Sequence, residues 1–194
     1  MRSLFYISTM KITSKFTIIS LILAIAIGYS IYEKKKMDSY FDESAAPVLK
    51  ELPSIAGLTE FTSGEATTLE KILDGSSGLL VHFWGTWCAP CEFELPEFLE
   101  FSKKLGDLNI KVVLLAVNDD DIKIKKFMKR FGDLSPNIVL IHDKTNQAMT
   151  KFGVVKVPET FLFNTKKMNL TKFVGPQDWK LDSYITRVMN YLAL

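Results

Sequence analysis

The stretch Leu79-Leu80-Val81-His82-Phe83-Trp84-Gly85-Thr86-Trp87-Cys88-Ala89-Pro90-Cys91 limits what this chain can fold into more than any other part of it. Its first six residues are a short apolar run, long enough for a buried central strand. Gly85 then marks a tight turn. From Pro90 to about Leu105 the apolar residues Phe93, Leu95, Phe98, Leu99 and Phe101 recur among acids, which predicts a helix. Pro96 is expected to interrupt and kink it, because proline removes one backbone hydrogen bond. A buried strand feeding a helix through so short a turn is a unit of an α/β sheet with helices packed on it.

The rest of the chain repeats that alternation. Val112–Val117 predicts a second buried strand, and Asp119, Asp120 and Asp121 offer N-caps for a helix running to about Phe131. Ile138–Ile141 predicts a third strand, and Gln147–Phe152 a short helix ending at Gly153. Phe161–Phe163 and Thr171–Val174 predict a hairpin. Asp178 to Tyr191 predicts a closing helix with Leu181, Ile185, Val188 and Leu192 on one face.

Placing Cys-x-x-Cys in the first turn of a helix has a chemical consequence. Unpaired N–H groups and the macrodipole stabilise negative charge there. A cysteine so placed loses its proton more easily, and the thiolate is the nucleophile. Cys88, at the helix mouth, is expected to attack a substrate disulfide. Cys91, one turn further in, is expected to resolve the mixed disulfide by attacking Cys88. A purely structural bridge is the alternative, but closing so small a loop removes little unfolded-state entropy. These are the only two cysteines, too few for a disulfide framework or, alone, for a four-ligand zinc site. His82 and His142 stand at spacings that match no common zinc pattern, so no metal is expected.

Charge narrows the functional classes. The net charge is +2, but residues 1–45 hold six Lys/Arg and four Asp/Glu, and the remainder holds eighteen of each. A neutral domain argues against nucleic-acid binding, which needs a clustered basic face. Lys123, Lys125, Lys126, Lys129 and Arg130 do cluster, but Ile122, Phe127 and Phe131 make them the wet side of one helix.

Phe16 to Tyr32 carries no charge and is dominated by Ile, Leu, Ala and Phe. At 1.5 Å per residue this is near the lower limit for crossing a hydrocarbon core of ~30 Å. A cleaved signal peptide would use the small residues of Ala24-Ile25-Ala26. A retained anchor fits better, because the apolar run continues through Ile27 and Ile31. The organisation read from the chain is a tail over 1–15, a transmembrane signal-anchor over 16–32, a polar linker over 33–53 and one domain over 54–194. Orientation is not set by charge: Arg2, Lys11 and Lys15 on one side balance Lys34, Lys35 and Lys36 on the other.

With FWGTWCAPC, and Pro96 five residues later, the chain resembles the thioredoxin superfamily, specifically its membrane-anchored TlpA/ResA/CcmG-type branch. The resemblance runs from about residue 46 to the C-terminus and implies a thioredoxin fold, a central mixed β-sheet flanked by helices. It implies that Cys88 and Cys91 form a redox-active disulfide and that no cofactor is needed. A second landmark is Gly153-Val154-Val155-Lys156-Val157-Pro158-Glu159-Thr160-Phe161. The resemblance implies that Pro158 is cis beside the cysteines and that Val157 offers its backbone to a client. Trp84 and Trp87 are expected to form an aromatic rim, with Trp87, Ala89 and Pro90 forming the rest of the docking surface. Glu94, three residues after Cys91, matches an acid that takes part in proton transfer in the cytochrome c maturation branch. His82 departs from the pattern: thioredoxin has a buried aspartate there and the anchored branch often asparagine. A histidine could accept the resolving thiol's proton, or be a hydrogen-bonded core residue.

The same resemblance implies an enzyme on the extracytoplasmic side of the cytoplasmic membrane. It would draw electrons from an integral membrane donor of CcdA/DsbD type and reduce client disulfides, with apocytochrome c the leading client. Reduction of copper-site proteins for oxidase assembly is a second client reading. A copper metallochaperone using Cys88, Cys91 and a histidine is a third reading, since copper(I) favours thiolates.

Overall fold

The computed structural model describes residues 17–33 and 49–194 in two compact units, one within residues 1–42 and the other spanning Glu43–Leu194. In the first, residues 17–33 form helix α1. Its large apolar side chains, among them Ile18, Leu21, Leu23, Ile25 and Ile27, are exposed. Among the described residues no helix is long and apolar enough to cross a membrane. The expected tail over 1–15 and most of the expected linker lie outside the described residues.

The second unit is built on the strand that the sequence singles out. That strand, β3 (Gly78–Trp84), is buried along its whole length. It pairs in parallel with β4 (Ile110–Ala116), which pairs in parallel with β5 (Ile138–His142). On its other side β3 is antiparallel to β6 (Glu159–Asn164), which forms a hairpin with β7 (Asn169–Val174). Two short strands, β1 (Leu58–Glu60) and β2 (Ala66–Thr67), extend the opposite edge, giving the order β2-β1-β5-β4-β3-β6-β7.

Side chains of a strand point alternately to the two faces, and here both faces are core. Leu80 and Trp84 join one cluster with Leu95, Phe98, Phe101 and Leu105 of α3 (Ala89–Gly106), Ile124 and Met128 of α4 (Asp121–Met128), and Tyr184 and Val188 of α6 (Ser183–Leu192). Leu79, Val81 and Phe83 join the other with Leu69 and Leu73 of α2 (Leu69–Leu73) and Ala148 and Phe152 of α5 (Ala148–Phe152). Helices therefore cover both faces of a mixed sheet, the expected thioredoxin architecture.

Several expectations change in detail. Pro96 lies inside α3 without ending it. Burial of Leu95, Phe98 and Phe101 on either side of the missing hydrogen bond outweighs its loss. In α4 the buried residues are Ile124 and Met128, whereas Ile122 is 78% exposed. Leu181 is exposed and lies before α6; of the expected face Val188 is buried and Ile185 and Leu192 are half-buried, and Tyr184 joins them. Leu49 to Pro53, expected as linker, lies along the sheet edge: Leu52 N–H donates to Lys167 O, and Glu51 bridges to Met168.

Candidate active site

At the C-terminal end of β3 the chain turns through Gly85, Thr86 and Trp87 into α3. Gly85 is required by close approach: a Cβ there would lie 2.5 Å from Trp87 Nε1. That indole folds back over the glycine and donates to Val117 O at 3.1 Å. Asp119 takes hold of the same turn, accepting from Thr86 N–H at 2.5 Å and from Thr86 Oγ1 at 2.8 Å. By its place in the sequence Asp119 is a candidate helix cap. Asp120 performs that task, accepting from Ile122 and Lys123 N–H. Asp119's part depends on the approach of β4's end to the turn, which no local pattern reveals.

Cys88 is the N-cap of α3, and its Sγ accepts from Cys91 N–H at 3.2 Å. The two sulfurs are bonded to each other. Cys88 keeps 5% of its surface, while Cys91 keeps none. Ala89 and Pro90 are exposed, and Trp87 is 55% exposed. Trp84 is not part of this rim: it is fully buried, tilted against Phe127 at 5.3 Å. An even position on β3 points it into the core behind α3.

The second expected landmark lies against the first. Gly153 closes α5 at φ 67°, a left-handed conformation that glycine adopts without strain. The loop beyond it brings Val157 O to 3.8 Å from Cys88 Sγ, and the Val157–Pro158 peptide is cis. Val157 is half-buried and Pro158 buried. Beyond it Glu159, 3% exposed, has Oε2 3.7 Å from Lys172 Nζ. Burial pushes its carboxyl up, partly offset by that lysine.

Behind the cystine is a buried polar cluster. Glu94, one turn after Cys91 on the same side of α3, is 5% exposed. Its Oε2 accepts from Gln177 N–H at 2.8 Å and from Trp179 Nε1 at 3.2 Å. Desolvation nevertheless dominates and raises its pKa to about 7. His82 is fully buried on β3, stacked on Phe98 with centroids 4.1 Å apart. Its Nδ1 is 2.9 Å from Thr160 Oγ1, and its Nε2 is 3.6 Å from Glu94 Oε1. Burial lowers the His82 pKa to about 3. Near neutral pH the imidazole is therefore uncharged, and its contact with Glu94 is not an ion pair. The other histidine, His142, is engaged by Asp121 at 2.6 Å. Among the described residues no cluster of three or more His, Cys, Asp or Glu could hold a metal ion.

The sulfur–sulfur bond is the one group here that can be broken and remade, and the exposed turn beside it is open to another polypeptide. That chemistry on this sheet defines a thiol–disulfide oxidoreductase of the thioredoxin fold. The chain belongs to the Redoxin family, whose model matches residues 44–186. Within that family it is of ResA/CcmG type. It is 29% identical over 173 residues to the thiol-disulfide oxidoreductase ResA of Bacillus cereus, covering 88% of this chain and 93% of that protein. Its fold is similar to that of a thiol:disulfide interchange protein of the thioredoxin family from Chlorobium tepidum (TM-score 0.59, 23% identity, 76% of this chain and 99% of that one). It is also similar in fold to BsSco, a member of the Sco family of cytochrome c oxidase assembly proteins (TM-score 0.59, 19% identity, 76% and 96% covered).

Proposed function

We propose that the chain is a membrane-tethered, extracytoplasmic reductant of client-protein disulfides, with apocytochrome c as its leading client. The observation that carries the reading is the N-cap position of Cys88, whose sulfur already accepts the Cys91 N–H. In the reduced chain the same N–H and the helix terminus favour the thiolate. The Cys88 thiolate attacks one sulfur of a client disulfide, and the client's other sulfur leaves as a thiolate. Cys91 then passes its proton to the Glu94 carboxylate and attacks Cys88 Sγ. The client's second sulfur departs, the Cys88–Cys91 bond closes, and two electrons have moved to the client. Glu94 suits the proton transfer because a group with a pKa near the working pH both takes and returns a proton readily. Trp87, Ala89, Pro90 and Val157 are the docking surface, the last through its backbone.

An exported dithiol oxidises unless it is resupplied, so the reading includes an integral membrane electron donor of CcdA/DsbD type. The charge-free stretch Phe16–Tyr32, the exposed apolar side chains of α1 and Lys34–Lys36 beyond it support a tether. A tether raises the local concentration of the domain near both donor and client. A second client reading, a thiol protein of copper-site assembly, draws support from the likeness in fold to BsSco.

The test is the Cys91→Ala chain expressed in cells. Without the resolving thiol, a mixed disulfide through Cys88 should accumulate, and mass spectrometry of the adduct names the client. An apocytochrome c adduct supports the leading reading, and an oxidase-assembly protein the second. Absence of any Cys88 adduct would contradict both.

A further inference from the structure

His82 and Glu94 present a problem that the exchange reaction leaves open. Nε2 of His82 and Oε1 of Glu94 are buried, face each other at 3.6 Å, and have no hydrogen-bond partner at that separation. Buried polar atoms of this kind are costly unless paired. A slight closure would pair them, but which atom donates depends on where the protons are.

The surroundings decide. Glu94 Oε2 already accepts two N–H donors, from Gln177 and Trp179. When Glu94 is protonated its hydrogen therefore sits on Oε1 and needs an acceptor, which is a bare Nε2. The ring proton is then on Nδ1 and donates to Thr160 Oγ1. When Glu94 is ionised, Oε1 needs a donor. The ring proton must then be on Nε2, and the Thr160 hydroxyl donates to Nδ1. A hydroxyl serves both arrangements because it is donor and acceptor at once. The acid state holds three exchangeable protons (carboxyl, Nδ1–H, hydroxyl) and the carboxylate state two (Nε2–H, hydroxyl), so one proton leaves.

We infer that His82 is a positioning residue that stays neutral and changes tautomer as Glu94 gains or loses its proton, keeping the buried carboxyl hydrogen-bonded in both states. The inference rests on the proposed role of Glu94 in exchange for its purpose, though not for its geometry. In the disulfide form the other ionisable groups near Glu94 are Glu97 on α3, ion-paired to Lys180, and Tyr184, which is tied to Gln177 Oε1 and flanked by Asp178 and Arg187. None of these contacts is with the His82 ring.

The experiment is NMR of the full chain with ¹⁵N-labelled histidine and ¹³C-labelled glutamate carboxyls, recorded across the Glu94 titration. The expected result is a neutral His82 throughout, with its proton on Nδ1 at low pH and on Nε2 once Glu94 has ionised. One tautomer across the whole range, or a charged ring, would overturn the inference. His82→Phe keeps an aromatic ring against Phe98 but offers neither donor nor acceptor. Loss of a hydrogen bond costs the carboxylate more than the acid, so the Glu94 midpoint should rise by about one pH unit. His82→Asn, whose amide can turn either way, should reverse most of that shift. An unmoved Glu94 midpoint in a folded His82→Phe chain would also overturn it. If the NMR midpoint moves while the pH profile of disulfide exchange does not, Glu94 has no part in exchange and the His82–Glu94 coupling stands.

Discussion

Glu94 is a carboxyl held at the edge of ionisation by the fold, and that has a thermodynamic signature. Below about pH 4.5 both the folded and the unfolded chain carry its proton. Between there and about pH 7 the unfolded chain ionises first, so this group's effect on stability becomes less favourable as pH rises. Glu94→Gln removes the loss, and its amide reproduces the acid form, with oxygen toward Gln177 and Trp179 and nitrogen toward His82. Denaturant unfolding should show the variant gaining on the native chain between pH 5 and 8, with little difference at pH 4. A gap independent of pH would contradict the account. The same variant should slow resolution of the mixed disulfide near neutral pH, on the order of 100-fold, the low side for a proton-transfer group. Cys88 and Cys91 can be singled out in the sequence because they stand two residues apart at a helix start, and Pro158 and Glu94 through the family resemblance that their short runs carry. The donors that hold Glu94, Gln177 and Trp179, lie over eighty positions away. Only the packing of the loop after β7 onto α3 brings them there.

Among the elements, the turn between β3 and α3 sets the position of Cys88, and two contacts secure it. Asp119→Ala leaves Thr86 N–H and hydroxyl without their acceptor. It should lower unfolding free energy by about 1–3 kcal/mol, with Asp119→Asn recovering part of the loss through its amide oxygen. Equal losses in the two variants would show that hydrogen bonding is not what Asp119 supplies. Gly85→Ala should displace the Trp87 indole from Val117 O, since the added Cβ meets Nε1 at 2.5 Å. Tryptophan fluorescence should report greater solvent access at Trp87, and an unchanged spectrum would count against the packing described. The long elements, β3, β4 and α3, are readable from their apolar runs. Three short ones are not: β1, β2 and α2 span two to five residues each, too few for a period to show, whereas the equally short α5 is marked by the glycine that ends it. The first three form because β5 offers an edge and because Leu69 and Leu73 can be buried behind β3. Phe93, 81% exposed on α3, shows the converse, an apolar residue at helical spacing that the fold leaves outside.

At the scale of the whole molecule, the chemistry lies entirely in the Glu43–Leu194 unit, and under the proposed function the N-terminal unit serves as its tether. The division is legible in the sequence because charge and hydropathy change abruptly near residue 33. Which side of a membrane the domain faces is not, since the flanking lysine and arginine counts are equal. An alkaline phosphatase fusion at the C-terminus should be active if the domain is exported, and an inactive fusion would contradict that placement. The central claim is that the backbone makes one sulfur of the pair an anion near neutral pH while shielding the other. Alkylating the reduced full chain with iodoacetamide from pH 5 to 9, and assigning the modified residue by mass spectrometry, tests it most directly. The account predicts modification at Cys88 alone, with a midpoint below the ~8.5 of an ordinary thiol. Equal labelling of Cys88 and Cys91, or a Cys88 midpoint at or above that value, would contradict it.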